Sequence, residues 1–260
     1  MKIVCLDAAT LGSDADLSEI ASLGEFESYE MTEPVQTAQR LAGADVVITN
    51  KVLITDQIMA QTALKLICVS ATGTNNIDMQ AAHTRDIAVK NAAGYSTNSV
   101  VQQTFASLFA LTNALGYYAD YGSSGKWCES EIFTHIDAPI SEIYGKEFGV
   151  IGLGQIGAKV ARIAATFGAN VRYCSTSGAN DNGEFARVSL DALLRACDII
   201  SIHAPLNERT AGLIGEAELA KMKEGAILMN FGRGGIVDED ALARAVDERG
   251  LRTALDVLQT

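Results

Sequence analysis

A chain of 260 residues has room for two ordinary domains or one large one, and 48% hydrophobic with 20% charged residues is a soluble globular composition. The balance is acidic, with 32 Asp and Glu against 20 Lys and Arg for a formal charge of −12. No basic patch is visible, which argues against nucleic acid as a partner, because phosphate binding needs clustered Lys and Arg. No stretch reaches the length of a membrane span, and the opening MKIVCLDAAT is too short an apolar run for a signal peptide, so a cytoplasmic protein with no membrane partner is expected. Cys5, Cys68, Cys128, Cys174 and Cys197 form no CxxC pair and no cluster with His. Reduced thiols and no metal site follow from that spacing.

Short apolar runs alternate with amphipathic segments along the chain. Strands are predicted near 2–6 (KIVCL), 45–49 (DVVIT), 65–70 (KLICVS) and 86–90 (DIAVK). A second series follows near 147–151, 170–174, 198–202, 225–230 and 252–257. Helix-period segments such as AKVARIAATFG, closed by Gly168, and EDALARAVDERG lie between strands. Runs apolar on both faces and separated by helices indicate parallel sheets covered on both sides. Between the two series, Ser99 and Gln102 can form a capping box, and Val101, Phe105, Leu108, Phe109 and Leu115 suit a long buried helix. A domain junction is placed near Ser99, giving domains 1–98 and 99–260.

The segment FGVIGLGQIGAKVARIAATFGANVRYCSTS contains Gly152-x-Gly154-x-x-Gly157 between a strand and a helix, with a second strand after Gly168. In such a unit the first Gly makes the turn, the second lets a pyrophosphate approach the backbone, and the third lets helix and strand pack closely. The helix start adds N–H donors and partial positive charge. A carboxylate that would bind the adenosine ribose is expected about twenty residues on. That position falls at Ser175, and no carboxylate precedes Asp181. Ser175, Thr176 and Ser177 could donate to a 2′-phosphate, yet no Arg follows, and Arg172 lies inside the strand. NAD and NADP both stay open.

GAILMNFGRGGIVDEDALARAV carries Arg233 at the carboxyl end of a strand, flanked by Gly232, Gly234 and Gly235, where open α/β sheets bind ligands. A guanidinium fork fits the carboxylate of a 2-oxo acid and can polarise the adjacent carbonyl, although a structural ion pair would use the same residue.

Across nearly its whole length the chain resembles the D-isomer-specific 2-hydroxyacid dehydrogenases. The resemblance rests on GTNNIDMQAAHTRDIAVKNAAGYSTNSVVQQT, GLGQIG, CDIISIHAPLNERTAGLI, MNFGRGGIVDEDAL and ALDV, in that order. It is nearest to glycerate/hydroxypyruvate reductase-like members. It implies an α/β fold of two doubly wound parallel-sheet domains, a flavodoxin-like substrate domain and a Rossmann cofactor domain. It also implies hydride transfer between NAD(P)H and a small 2-oxo or D-2-hydroxy acid.

Carried over by position, Arg233 becomes the catalytic, substrate-binding and cofactor-bordering arginine. Phe231 and Gly232 border the nicotinamide, and Asp256 hydrogen-bonds its carboxamide. Gln155 and Ile156 cover the pyrophosphate with Gly152, Gly154 and Gly157. His203, Ala204 and Pro205 line the adenosine side, with Thr210 nearby. Thr72, Gly73 and Thr74 present N–H groups to the substrate carboxylate, and Thr72 also touches the cofactor. The helix after Ser99 lies at a homodimer interface.

The resemblance further implies a His proton donor and a Glu partner after Asp256, and counting puts both beyond Thr260. The chain is therefore expected to be a C-terminally incomplete version of a longer enzyme. Its first domain would lack a return segment and its second would be unfinished. His83, His135 and His203 are poor substitutes by position. The alternative to a dehydrogenase is a non-catalytic NAD(P)-binding protein, or an inactive remnant, on the same fold.

Overall fold

The structure is a computed structural model that describes residues 1–179 and 183–259; Asp181 and Thr260 lie outside the described residues. The chain divides into two compact units, Met1–Ser96 and Thr97–Thr260, each an α/β layer structure.

In the first unit, β1 (Lys2–Cys5), β2 (Glu25–Ser28), β3 (Val46–Thr49), β4 (Leu66–Val69) and β5 (Ala88–Asn91) form one parallel sheet in the order β2-β1-β3-β4-β5. Alternation of side chains along β1 sends Val4 into one apolar cluster and Ile3 and Cys5 into another, so both faces of the sheet are covered. β3 is buried at all four positions, whereas β2 on the edge has none buried. That exposure is why no apolar run marks β2 in the sequence. Two short helices start on side-chain caps: Thr55 accepts from Ile58 N–H, and Asp78 from Ala81 N–H.

In the second unit, β6 (Glu147–Ile151), β7 (Asn170–Cys174), β8 (Ala186–Arg187), β9 (Ile199–Ile202), β10 (Ile227–Asn230) and β11 (Arg252–Leu255) make a second parallel sheet. Its order, β11-β10-β9-β6-β7-β8, is the doubly wound arrangement of dinucleotide-binding domains. Phe148 and Val150 of β6 face one core, with Tyr173, Val160 and Phe105, while Ile151 faces the other, with Leu193, Leu228 and Leu242. Helix Gln155–Thr166 buries Gly157, Val160, Ala161 and Ala164, one stripe at helical spacing, and Gly168 beyond its end takes a positive φ of 81°.

The segment after the first unit departs from the sequence reading in two ways. Helix Thr97–Thr112 begins ahead of Ser99, so Ser99 lies in its first turn and is not its N-cap. The helix also breaks at Ala114, which has a φ of 50°, and a second helix runs Leu115–Ser123. Val101, Phe105 and Leu108 are buried, but Leu115, beyond the break, is half exposed. Among the described residues no helix is long and apolar enough to cross a membrane, and no group of three His, Cys, Asp or Glu side chains could hold a metal. All five cysteines are free thiols, and burial pushes that of Cys197 up to about 12.

Candidate functional site

β6 and β9 are neighbours whose chains continue in opposite directions across the sheet, so the loops leaving their carboxyl ends part from one another. A cleft of about 520 Å³ lies there, lined by Gly152, Gly154, Thr176, Ser177, His203, Pro205, Asn207, Glu208 and Arg209.

The three glycines of the turn are required for three different reasons. Gly152 has a φ of 92°, and a Cβ on it would stand 2.9 Å from the carbonyl oxygen of His203. At Gly157 a Cβ would come within 2.0 Å of the Gly152 carbonyl oxygen, so this position fixes how closely the helix meets the turn. A Cβ on Gly154 would touch nothing within 4 Å. No packing constraint inside the protein demands a glycine at position 154; what its missing side chain does is bare the backbone on the cleft.

Gly154 is also the N-cap of helix Gln155–Thr166, and no side chain caps it. Helices Leu190–Ala196 and Glu239–Arg249 of the same unit are capped by Ser189 and Asp238. The orphan N–H groups of the first turn, with the positive end of the helix dipole, suit an anion. Gln155 and Ile156 sit in this turn, exposed and half-buried respectively, and Gly157 is buried behind it.

His203 follows β9 and forms one wall. Its Nε2 lies 2.8 Å from Ser201 Oγ, its ring stacks with Phe231 at 6.3 Å, and Nδ1 is buried with no partner among the described residues. Surrounding atoms strip water from the ring although an edge reaches the cleft, and desolvation pushes its pKa down to about 4. It is neutral near pH 7 and a poor proton donor. Ala204 is buried, with its backbone against Gly152.

Thr210 is fully buried and does not reach the cleft. Its hydroxyl donates to the Pro205 carbonyl at 2.6 Å and accepts from Asn207 N–H at 2.9 Å, so it closes the turn that presents residues 205–209. The sequence reading placed Thr210 beside the cofactor; its part here is to shape the loop.

At the end of β7, Thr176 and Ser177 line the cleft and Ser175 does not. Arg172 is engaged with Glu147 in an ion pair, which settles its side-chain direction away from any ligand duty. Asn207, Glu208 and Arg209 line the same cleft and were not singled out from the sequence, because they lie about thirty residues beyond the serines, on a different strand's loop.

β10 runs into a second cluster. Asn230 is buried, its amide donates to the Arg233 carbonyl at 2.9 Å, and its Oδ1 accepts from Gly232 N–H at 3.1 Å. This clamp holds the Phe231–Arg233 turn; sequence reasoning read Asn230 only as the strand's end. Arg233 is half-buried and donates from Nη1 to the Gly232 carbonyl at 2.8 Å. Among the described residues no carboxylate pairs with it, so the structural ion pair weighed above is absent there. Phe231 is buried under the cleft, and Asp256 is exposed at the end of β11, its N–H donating to the Asn230 carbonyl at 3.0 Å.

In the first unit, residues 72–74 form the loop after β4. The Asn91 amide donates to the Thr72 carbonyl at 2.6 Å, and Ile77 N–H to that of Thr74 at 3.0 Å. Among the described residues the N–H groups of Thr72, Gly73 and Thr74 find no acceptor. His83 is exposed on helix Met79–Thr84. In the second unit His135 stacks on Tyr121 at 3.6 Å, and its Nε2 meets the Tyr117 hydroxyl at 2.8 Å.

Residues 6–121 match the catalytic domain of the D-isomer specific 2-hydroxyacid dehydrogenases, and residues 105–260 match their NAD binding domain. A Haemophilus influenzae protein assigned to the 2-hydroxyacid dehydrogenases is 38% identical over 99% of this chain and 82% of its own length. Glycerate dehydrogenase of Methylorubrum extorquens is 36% identical over 95% of this chain and 77% of its own. The solved structure of D-lactate dehydrogenase from Aquifex aeolicus, complexed with NAD and lactic acid, superposes with a TM-score of 0.86 at 26% identity, covering 100% of this chain and 78% of that one. The chain belongs to the D-isomer specific 2-hydroxyacid dehydrogenase family.

Proposed function

We propose that the chain binds NAD(P)(H) in the cleft between the β6 and β9 loops and works on a small 2-oxo or 2-hydroxy acid of the hydroxypyruvate, glyoxylate or glycerate type. The observation that carries this reading is the uncapped helix start at Gly154 opening on the cleft. The similarity to a glycerate dehydrogenase supports the substrate class.

When bound, the nicotinamide supplies or accepts the hydride. The chain's own residues bind and orient. N–H groups of the Gly152–Gly157 turn hold the pyrophosphate, with Gln155 and Ile156 over it. Phe231 and Gly232 border the nicotinamide, and the Asp256 carboxylate accepts from its carboxamide. Arg233 holds the substrate carboxylate and polarises the carbonyl on which negative charge grows, and Asn230 positions it. In the first unit the unpartnered N–H groups of Thr72, Gly73 and Thr74 suit a carboxylate. None of the three histidines is assigned the proton: His203 is held neutral, His135 is engaged by tyrosines, and His83 lies on an exposed helix face.

The second reading is cofactor binding without turnover. Titration with reduced cofactor, followed by an assay with hydroxypyruvate and glyoxylate, separates the two. Binding with turnover supports the dehydrogenase; binding alone supports the second reading; no binding contradicts both.

We also propose a homodimer through the segment after Ser99. The support is a run of exposed apolar side chains on the 115–144 stretch, with Phe133 91% and Ile136 83% accessible beside Trp127 and Ile132. Sedimentation equilibrium that returned a monomer at micromolar concentration would remove this proposal.

A further inference from the structure

We propose that the cleft prefers NADPH to NADH and that Arg209 sets the preference by pairing with the 2′-phosphate of the adenosine ribose. The proposal rests on the cofactor reading above and deepens it.

Three observations at one place carry it. The stretch from Ser175 to Ala179 holds no carboxylate, so no negative charge there holds the ribose hydroxyls or repels a phosphate in place of one. Ser177, which lines the cleft, accepts through its hydroxyl oxygen from Ala179 N–H at 3.2 Å, and Ser175, just outside the lining, accepts from Gly178 N–H at 3.1 Å. A hydroxyl whose oxygen accepts still has its own hydrogen to donate, and an anion is the acceptor this arrangement suits. Finally, Arg209 reaches across from the loop after β9 and donates from Nη1 to the Ser177 carbonyl at 3.1 Å.

That contact parks a guanidinium against the end of β7, in the same cleft as Thr176 and Ser177. Its backbone is fixed as well, since Arg209 N–H donates to Asn207 Oδ1 at 2.9 Å. A guanidinium has five N–H donors in a planar fork, and none of those on Arg209 meets a carboxylate among the described residues. Of the other arginines near this end of the sheet, Arg162 pairs with Glu184 and Arg172 with Glu147, and Arg187 of β8, opposite Tyr173, does not line the cleft. Glu208 also lines the cleft, so its charge opposes a phosphate and sets a limit on the preference that Arg209 confers.

The test is equilibrium titration of the full chain with NADPH and with NADH, followed by cofactor fluorescence. It uses wild type, Arg209→Ala, Arg209→Lys, Glu208→Gln and Ser175→Asp, each checked by thermal melting. Wild type is expected to bind NADPH at least about tenfold more tightly than NADH, the worth of a charge-assisted hydrogen bond or more. Arg209→Ala should lose about tenfold or more for NADPH while NADH changes less than about threefold. Arg209→Lys should recover part of the loss, Glu208→Gln should widen the preference, and Ser175→Asp should reverse it. Displacement of NADPH by 2′,5′-ADP should be stronger than by 5′-ADP. Equal or tighter binding of NADH by wild type overturns the proposal and leaves the cofactor reading standing. Equal loss of both cofactors in Arg209→Ala overturns the assignment to Arg209. Failure to bind either cofactor overturns the proposal and the cofactor reading together.

Discussion

The two units are built on the same kind of sheet yet treat its reversal point in opposite ways. In the first unit the strand order turns between β1 and β3, and Asp7, just past β1, fills that place with its own carboxylate. Asp7 is buried and accepts from the N–H groups of Asn50, Lys51 and Val52 and from the Thr49 hydroxyl, at 2.6 to 3.3 Å. In the second unit the corresponding place, between β6 and β9, begins with Gly152, and a cleft stands where the first unit has a side chain. Donors that could take an external anion are spent internally in one sheet and left available in the other. A doubly wound topology offers a binding position; the residue that follows the first strand decides whether the protein uses it for itself.

Substitutions test that contrast, and the largest effect belongs to a residue outside both reversal points. In an active form, Arg233→Ala should lower kcat/KM by about a thousandfold, the scale for removing a charge-stabilising donor, with cofactor affinity little changed. An unaltered kcat/KM would leave Arg233 a structural residue. Gly157→Ala comes next: its Cβ would overlap the Gly152 carbonyl oxygen, so the turn must deform. A loss of about 3 kcal/mol of stability in the second unit, and of cofactor binding, is expected in a denaturant melt with parallel titration.

Asp7→Ala, at the other reversal point, should cost about 2–3 kcal/mol by orphaning buried donors, yet leave the dinucleotide Kd of the folded protein unchanged. A large change in Kd would contradict the division of labour between the sheets. Gly154→Ala is the reverse case, because the added Cβ meets no protein atom. Its melting temperature should stay near that of wild type while cofactor binding weakens about tenfold, and normal affinity would show that nothing approaches the backbone there.

Much of this was legible in the sequence, for identifiable reasons. The inner strands β1, β3, β6, β9 and β10 are continuous apolar runs because both of their faces are covered, and such runs need no partner to be read. The edge strands β2 and β8 escaped because edge positions carry polar side chains: EFES has no buried residue, and Ala186–Arg187 is two residues long. The Gly152–Gly157 turn was visible because its glycines recur at a fixed spacing within one short stretch of chain between a strand and a helix. Arg209 was not, because its place beside Ser177 comes from two loops folding to one side of a sheet, with the two residues 32 positions apart. The direction of Arg172 was hidden for the same reason; only the neighbouring strand brings Glu147 beside it.

The smallest expected effect concerns pH. The folded pKa of His203 is pushed below its usual value of 6.5 to about 4, so between these values the unfolded chain binds the extra proton. Its contribution to stability is therefore complete above pH 6.5 and is lost as pH falls toward 4. His203→Asn should flatten the fall in melting temperature between pH 7 and pH 5; an unchanged slope would mean that the imidazole is solvated and titrates normally.

The most direct test of the contrast between the two reversal points is hydrogen exchange, read by mass spectrometry, on the full chain with and without saturating NADPH. New protection is expected in residues 152–157 and 203–210 and none in residues 49–53, where the donors are already held by Asp7. Protection confined to 49–53, or no change at 152–157, would contradict that contrast.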